Sequence, residues 1–468
     1  MQSEKLTDSQ PPNADSGRSG PGCQIVNARM VNEGAVTEGS LLISEGRIVG
    51  MNRPTPENAQ VIDAQGAWLL PGMIDDQVHF REPGFEHKGT IATESAAAIA
   101  GGITSYMEMP NCNPLTISQS ALEDKHARAA QCSEANYAFY LGATNDNLEA
   151  IKSVDLALPC GVKVFMGAST GNMLVDDEQT LEGIFASTPL LIATHCEHTP
   201  TILANEAAAT KKYGEDIPFS QHPHIRSVDA CYKSSSMAVA LAKRYGSRLH
   251  VLHLTTEKEL ALFEPGPLQG KRITAEACVH HLFFNESWYE EKGADIKCNP
   301  AIKARSDQLA LLRAINEDRI DVIATDHAPH TREEKDRAYA QAPAGLPLVQ
   351  HALLSLFEQI RAGVFDITKV VEKVAHAPAD MFAVRERGYL REGYHADLTL
   401  IDDRRDASPE ELLNDALPPP LSKCGWSPFE NIDLHARVRG TWVNGALRYC
   451  NGSILPGPYG QPLSFDRD

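Results

Sequence analysis

Residues 68–84 read WLLPGMIDDQVHFREPG, an apolar run that fills with polar groups as it ends. Strand side chains alternate with a period of two, so Gln77, His79 and Arg81 are expected on one face together with Asp75, while Asp76 and Val78 point away. Runs of this kind recur along the middle of the chain. WLLPGMIDDQVHF, ITSYMEM, NYAFYLGA, VKVFMG, LLIATHCE, RLHVLHL, ITAEACVH and DVIATDHAPH make eight candidate strands. Helical stretches separate them, among them the Ala-rich TIATESAAAIAGG, stopped by Gly101 and Gly102. Short apolar strands alternating with helices indicate a parallel sheet covered by helices. Eight such units fit an α/β fold of the (β/α)8 TIM-type barrel class better than an open sheet.

Outward from this middle, both chain ends are rich in strand signals. QIVNARMV and GSLLISEGRIVGM lie near the start, and ADLTLID and ARVRGTWVNGALRY near the finish. Chain ends often lie close together. Residues 22–66 and 390–450 are therefore expected to form one small β-sandwich domain, with the barrel over residues 67–389 and a C-terminal tail over 451–468. Residues 1–21, rich in Ser, Pro, Gly, Asp and Asn, are expected to be a disordered leader without chemistry.

The chain of 468 residues is long enough for one large domain and a smaller one. Its 43 Lys and Arg against 62 Asp and Glu give a formal charge of −19, which argues against nucleic acid or an anionic membrane as the main partner. No apolar run has the length of a membrane-spanning helix, and the N-terminus lacks the apolar core of a signal peptide. Ten cysteines occur as scattered singles, as expected of reduced thiols in a cytoplasmic protein. A homodimer is the expectation from common symmetry.

Polar groups fall late in the strands, where a barrel carries its active-site rim. The fourth strand holds Lys163 in an apolar setting, which is costly for an ammonium unless it is paired, neutralised or modified. The fifth ends in His195, the sixth in His253, and the eighth in Asp326 with His330 just beyond. A lone strand histidine is more often a hydrogen-bonded core residue than a ligand. Histidines from strands one, five and six together with an aspartate from strand eight, all at one rim, point instead to a metal centre. Imidazole nitrogens and carboxylate oxygens are the usual donors of a catalytic zinc site.

These residues resemble the amidohydrolase superfamily, and within it the dihydroorotases, from about residue 22 to 450. The resemblance is carried by VHFREPG (Val78–Gly84), MPNCNP (Met109–Pro114), HVLHLTT (His250–Thr256), KCNPAIK (Lys297–Lys303) and ATDHAPHT (Ala324–Thr331). It implies metal-assisted hydrolysis of a cyclic amide, interconverting L-dihydroorotate and N-carbamoyl-L-aspartate in pyrimidine biosynthesis, with Asp326 as proton shuttle. It also implies one or two zinc ions. Lys163, carboxylated to a carbamate, would bridge them; His79 and Asp326 would hold the more buried ion, and His195 and His253 the more exposed one. Arg81, Asn111 and His330 would bind the substrate carboxylate, and Asn299 the ring. Allantoinases and hydantoinases resemble the chain in their metal ligands. As families they lack the Arg after the His-x-His segment, the Asn of MPN and the DHAPH ending.

At one position the chain departs from that pattern, because Gln77 stands where the family has histidine. An amide oxygen is a weaker zinc donor than imidazole, so Gln77 is expected either to ligate weakly or to hydrogen-bond a water. The departure leaves a second reading open, in which the chain is a catalytically weak or inactive scaffold partnering aspartate carbamoyltransferase.

Overall fold

The computed structural model describes residues 22–167, 173–414 and 416–467. The leader expected over residues 1–21 lies outside them. The first strands are β1 (Cys23–Asn32), β2 (Ala35–Ser44), β3 (Arg47–Met51), β4 (Gln60–Asp63) and β5 (Trp68–Pro71). Next come β6 (Met73–Val78), β7 (Ile103–Glu108), β8 (Asn136–Gly142), β9 (Pro159–Phe165), β10 (Ile192–His195), β11 (Leu249–Val251), β12 (Ile273–Cys278) and β13 (Val322–Ala324). The chain ends with β14 (Leu398–Asp403), β15 (Ala436–Val443), β16 (Ala446–Cys450) and β17 (Ser453–Ile454).

Strands β6 to β13 form an eight-stranded parallel sheet in sequence order, the signature of a (β/α)8 barrel. Its two edges meet through a parallel bridge between Val78 and His327 and a 2.7 Å hydrogen bond from the His79 N–H to the His327 carbonyl. Each of the eight candidate strands of the sequence supplies one of these strands. Both chain ends build a separate nine-stranded sheet of order β17-β16-β15-β14-β5-β1-β2-β3, with β4 on β1. The run quoted at the outset is divided between the two sheets at Gly72. A Cβ there would stand 2.2 Å from the Thr104 side chain, so the turn between β5 and β6 needs glycine.

Helices cover the barrel, and their ends are capped locally. The helix Ile91–Ala100 begins with a reciprocal Thr90–Thr93 capping box and stops at Gly101, as the sequence signals require. A continuous apolar core lies between strands and helices, and a smaller cluster including Met107, Ala138, Tyr140 and Ala193 fills the barrel interior. Residues beyond Cys450 pass along β8, where the Tyr137 N–H donates to Gln461 O at 3.0 Å. All ten cysteines are free thiols. Among the described residues no helix is long and apolar enough to cross a membrane.

Alternation along β6 is not what simple periodicity predicts. The pairing of β6 with β7 slips between Asp75 and Val78. Asp75 is turned sideways onto β13, accepting from the Thr325 hydroxyl at 2.6 Å and the Thr325 N–H at 3.1 Å. Asp76 enters the barrel interior instead of pointing away, and its Oδ2 lies 3.2 Å from His250 Nε2. A register slip breaks the period-two rule by which the faces were assigned.

Candidate active site

Gln77, His79, Arg81, Asn111, Lys163, His195, His253, Asn299 and Asp326 line one cavity at the C-terminal end of the barrel, with Phe165, Ala328, Ala344 and Gly345. They come from different elements. Gln77 and His79 sit at the end of β6, Lys163 within β9, and His195 at the end of β10. His253 and Asp326 follow β11 and β13 by two residues each. The cavity volume is about 30 Å³, above the roughly 10–15 Å³ that a water needs, which suits an ion or a water between the donors. Three of the residues, Arg81, His253 and Asp326, have left-handed backbone (φ 74°, 40° and 52°). Uncommon backbone of this kind concentrates at sites where geometry serves function.

The donors fit a metal centre. His195 donates from Nε2 to the buried Glu197 carboxylate at 3.1 Å, which leaves its Nδ1 lone pair facing His253 Nε2 at 3.0 Å. Glu197 is held in turn by Arg226. Burial works against its charge, but Arg226 and His195 outweigh it and draw the carboxyl down to about 2. On the other side of the cavity, the His79 Nδ1–H donates to Asn111 Oδ1 at 2.7 Å, so its Nε2 lone pair faces Asp326 Oδ1 at 3.2 Å. Burial lowers the imidazole pKa of His79, His195 and His253, keeping all three neutral and able to ligate. Burial also brings Lys163 down from 10.5 to about 8, with its Nζ 4.7 Å from the Phe165 ring centroid. The acceptor nitrogens of His195 and His79 and the Asp326 oxygen thus face the cavity, where a cation would satisfy them.

Gln77 is placed differently from its neighbours. Its Nε2 donates to Asp326 Oδ1 at 3.1 Å, and its Oε1 is 3.8 Å from Cys278 Sγ. The amide thus offers Asp326 a hydrogen where an imidazole would offer the cavity a lone pair.

A cationic wall adjoins the donors. Arg81 donates from Nε to Pro329 O at 3.0 Å, and its Nη2 lies 3.0 Å from His330 Nε2. Burial and then Arg81 hold the His330 pKa down at about 3, so the ring is neutral. His330 does not line the cavity; it backs Arg81 on one side and meets Lys88 Nζ at 3.1 Å on the other. Asn299 Oδ1 is buried and has no partner among the described residues. Gly345 closes the wall at φ +141°, where a Cβ would press on Ala328 O at 2.5 Å and His330 Cδ2 at 2.9 Å.

Several contributors escaped the sequence reading. Glu197 stands two residues after His195, a spacing that could have flagged it. Glu94 accepts from His327 Nε2 at 2.8 Å while His327 Nδ1 accepts from the Leu348 N–H at 2.9 Å, fixing the loop that carries Asp326. Nothing local in the sequence announces that contact across 233 residues.

Residues 68–448 match the Amidohydrolase family. The dihydroorotase of Halobacterium salinarum is 32% identical over 82% of this chain and 88% of its own length. The chain belongs to the amidohydrolase family. Amidohydrolases are hydrolases and generally metal-dependent, which agrees with the donor set at this barrel's mouth. A second relative of the amidohydrolase, the dihydroorotase of Bacillus cytotoxicus, is 30% identical over 86% of this chain and 94% of its own. Solved structures share the fold. The L-hydantoinase (dihydropyrimidinase) from Arthrobacter aurescens superposes with a TM-score of 0.86 at 24% identity, covering 94% of this chain and 99% of that one. The dihydropyrimidinase from Brevibacillus agri gives 0.83 at 23% identity, covering 96% and 100%.

Proposed function

We propose that this amidohydrolase is a zinc-dependent dihydroorotase, interconverting L-dihydroorotate and N-carbamoyl-L-aspartate. The observation that carries the reading is Arg81: a buried guanidinium in the same cavity as Lys163, His195, His253 and Asp326. A guanidinium fork matches a carboxylate in geometry and charge, and dihydroorotate carries a carboxylate that allantoin, hydantoin and dihydrouracil lack. The names of the two relatives point the same way. Those of the solved hydantoinases and dihydropyrimidinases attest only the fold at their level of identity.

His79 and Asp326 would hold one zinc and His195 and His253 another, with Lys163 between them. Bound zinc supplies a Lewis acid for the ring carbonyl and lowers the pKa of water. The chain's own residues do the rest. Lys163, whose proton burial makes easier to lose, would react in its free-amine form with carbon dioxide, forming the N–C bond of a carbamate and releasing a proton. The carbamate removes a buried positive charge and presents two oxygens. Arg81 and Asn111 orient the substrate carboxylate, His330 fixes Arg81, and the unpartnered Asn299 Oδ1 accepts a ring N–H. Asp326 takes a proton from the attacking water and passes it to the leaving ring nitrogen. Ring closure requires the newly formed carboxylate to be protonated, so neutral pH favours opening.

Purified protein assayed on L-dihydroorotate, allantoin and dihydrouracil at matched concentrations is expected to prefer the first. Preference for either of the others overturns the assignment. The hydrogen bond from Gln77 to Asp326 supports a second reading, a metal-poor scaffold for aspartate carbamoyltransferase. Zinc-replete protein that is inert alone and co-purifies with that enzyme would favour it; turnover by the isolated chain removes it.

A further inference from the structure

Below the mouth, the barrel interior holds a second set of donors that hydrolysis leaves unused. Asp76 of β6, His250 of β11 and Glu276 of β12 are all fully buried. Strand β6 is not a neighbour of β11 or β12 in the sheet, so Asp76 reaches the other two across the barrel interior. His250 Nε2 is 3.2 Å from Asp76 Oδ2 and 3.6 Å from Glu276 Oε2. Both Asp76 oxygens, Glu276 Oε2 and His250 Nε2 make no well-aligned hydrogen bond among the described residues, although the imidazole pairs with both carboxylates. Two buried carboxylates beside a single imidazole are costly in such a place unless a cation lies between them.

The other side of the imidazole shows which nitrogen is available. His250 Nδ1 is 2.8 Å from Thr274 Oγ1, and that hydroxyl has its one hydrogen directed to Leu249 O at 3.2 Å or Met381 Sδ at 3.3 Å. Thr274 therefore accepts from the Nδ1–H, so in the neutral ring it is Nε2 that turns a lone pair toward the carboxylates, the tautomer a metal-binding histidine needs. With bonds near 2.1 Å, donors at the two observed separations subtend roughly 100–120° at an ion, close to tetrahedral.

We propose that Asp76, His250 and Glu276 form a buried site for a divalent transition ion, zinc by its donor set, separate from the donors at the mouth. One imidazole nitrogen and two carboxylate oxygens are zinc-type ligands. The two buried carboxylates supply the negative field that a cation at this place needs. The site also grips the mouth from below. Glu276 Oε1 accepts from the His253 N–H at 2.9 Å, and Asp76 directly precedes Gln77. An ion here cross-links β6, β11 and β12 beneath the catalytic groups.

The test uses the full chain with Lys163→Ala, His195→Ala, His253→Ala and His79→Ala combined, so that of the mouth's donors only Asp326 is left and failure of the hydrolase reading cannot affect the outcome. Incubated with zinc chloride and desalted, this protein is expected to retain one zinc per chain by mass spectrometry. Anomalous scattering at the zinc edge should place the ion among Asp76, His250 and Glu276. Adding Asp76→Asn should reduce retained zinc at least tenfold and abolish the zinc-induced rise in Tm. The amide removes a buried charge while keeping the side chain's shape, so the variant is expected to fold; Glu276→Gln provides an independent substitution with the same expected loss. The proposal is overturned if no zinc is retained, if the anomalous peak lies elsewhere, or if nitrogen NMR of the zinc-treated protein shows His250 protonated on both ring nitrogens, a proton then being the cation.

Discussion

The two halves of the mouth cavity are built differently. Lys163, His195 and His253 stand on or just beyond the adjacent strands β9, β10 and β11, and His195 is braced from behind by Glu197 and Arg226. Gln77, His79 and Asp326 lie across the seam where β6 meets β13. There the Gln77 amide already gives Asp326 a hydrogen. In the first half no side-chain amide N–H is committed to a ligand oxygen, and once Lys163 has lost its proton its donors are open to a cation. In the second an N–H competes with a cation for the same oxygen. The first half should therefore bind zinc tightly and the second weakly, although both share Lys163.

The sharpest way to break that contrast is to remove the strong half. His253→Ala should lose zinc from the mouth and lower kcat/KM for L-dihydroorotate by about 10³–10⁴, some 4–5.5 kcal/mol of transition-state stabilisation. Mouth zinc and activity that both persist would mean that the weak half carries the reaction. Arg81→Met separates metal binding from substrate binding. It should cost about 2–4 kcal/mol in kcat/KM while both halves keep their zinc. Unchanged kinetics would place the carboxylate elsewhere.

A pH experiment sharpens the strong half. Burial lowers Lys163 from 10.5 to about 8, so roughly a tenth of the chains hold it as a free amine at pH 7. That fraction grows about tenfold per pH unit below the pKa and levels off above it. Protein stripped of zinc and carbamate should regain activity faster as pH rises toward 8, at fixed dissolved carbon dioxide and zinc. Recovery that ignores pH would show that deprotonation of Lys163 is not required. The smallest effect on rate is expected from Gln77→His, which erases the contrast: zinc at the mouth should rise toward two per chain, while kcat changes by less than about tenfold. If the variant holds no more zinc than the parent, the amide is not what weakens the second half.

The barrel was legible because its evidence is local. Eight apolar runs, each within reach of its own flanking turns, report strands whatever their partners, and polar residues late in those runs report the rim. Lys163, His195, His253 and Asp326 could be selected as a group on that basis, since each falls at the end of a strand or in a setting hostile to its charge. The face assignment of Asp75 and Asp76 failed for a physical reason: it assumed unbroken alternation, and the slip in β6 pairing turns both Asp76 and Gln77 inward. His330 was recognisable as part of the site region, but its position behind Arg81 depends on how the Pro329 loop packs.

By itself the sequence determined the eight barrel strands, the pairing of both chain ends outside the barrel and the chemical types late in the strands, because hydrophobic periodicity and residue chemistry are properties of short segments. Only the tertiary structure decided that Gln77 offers Asp326 an N–H, that Glu197 braces His195, and that Asp76 meets His250 and Glu276 inside the barrel. Those outcomes depend on which side chains from distant strands compete for the same buried space. That competition is settled by packing and hydrogen-bond geometry, which no single segment encodes.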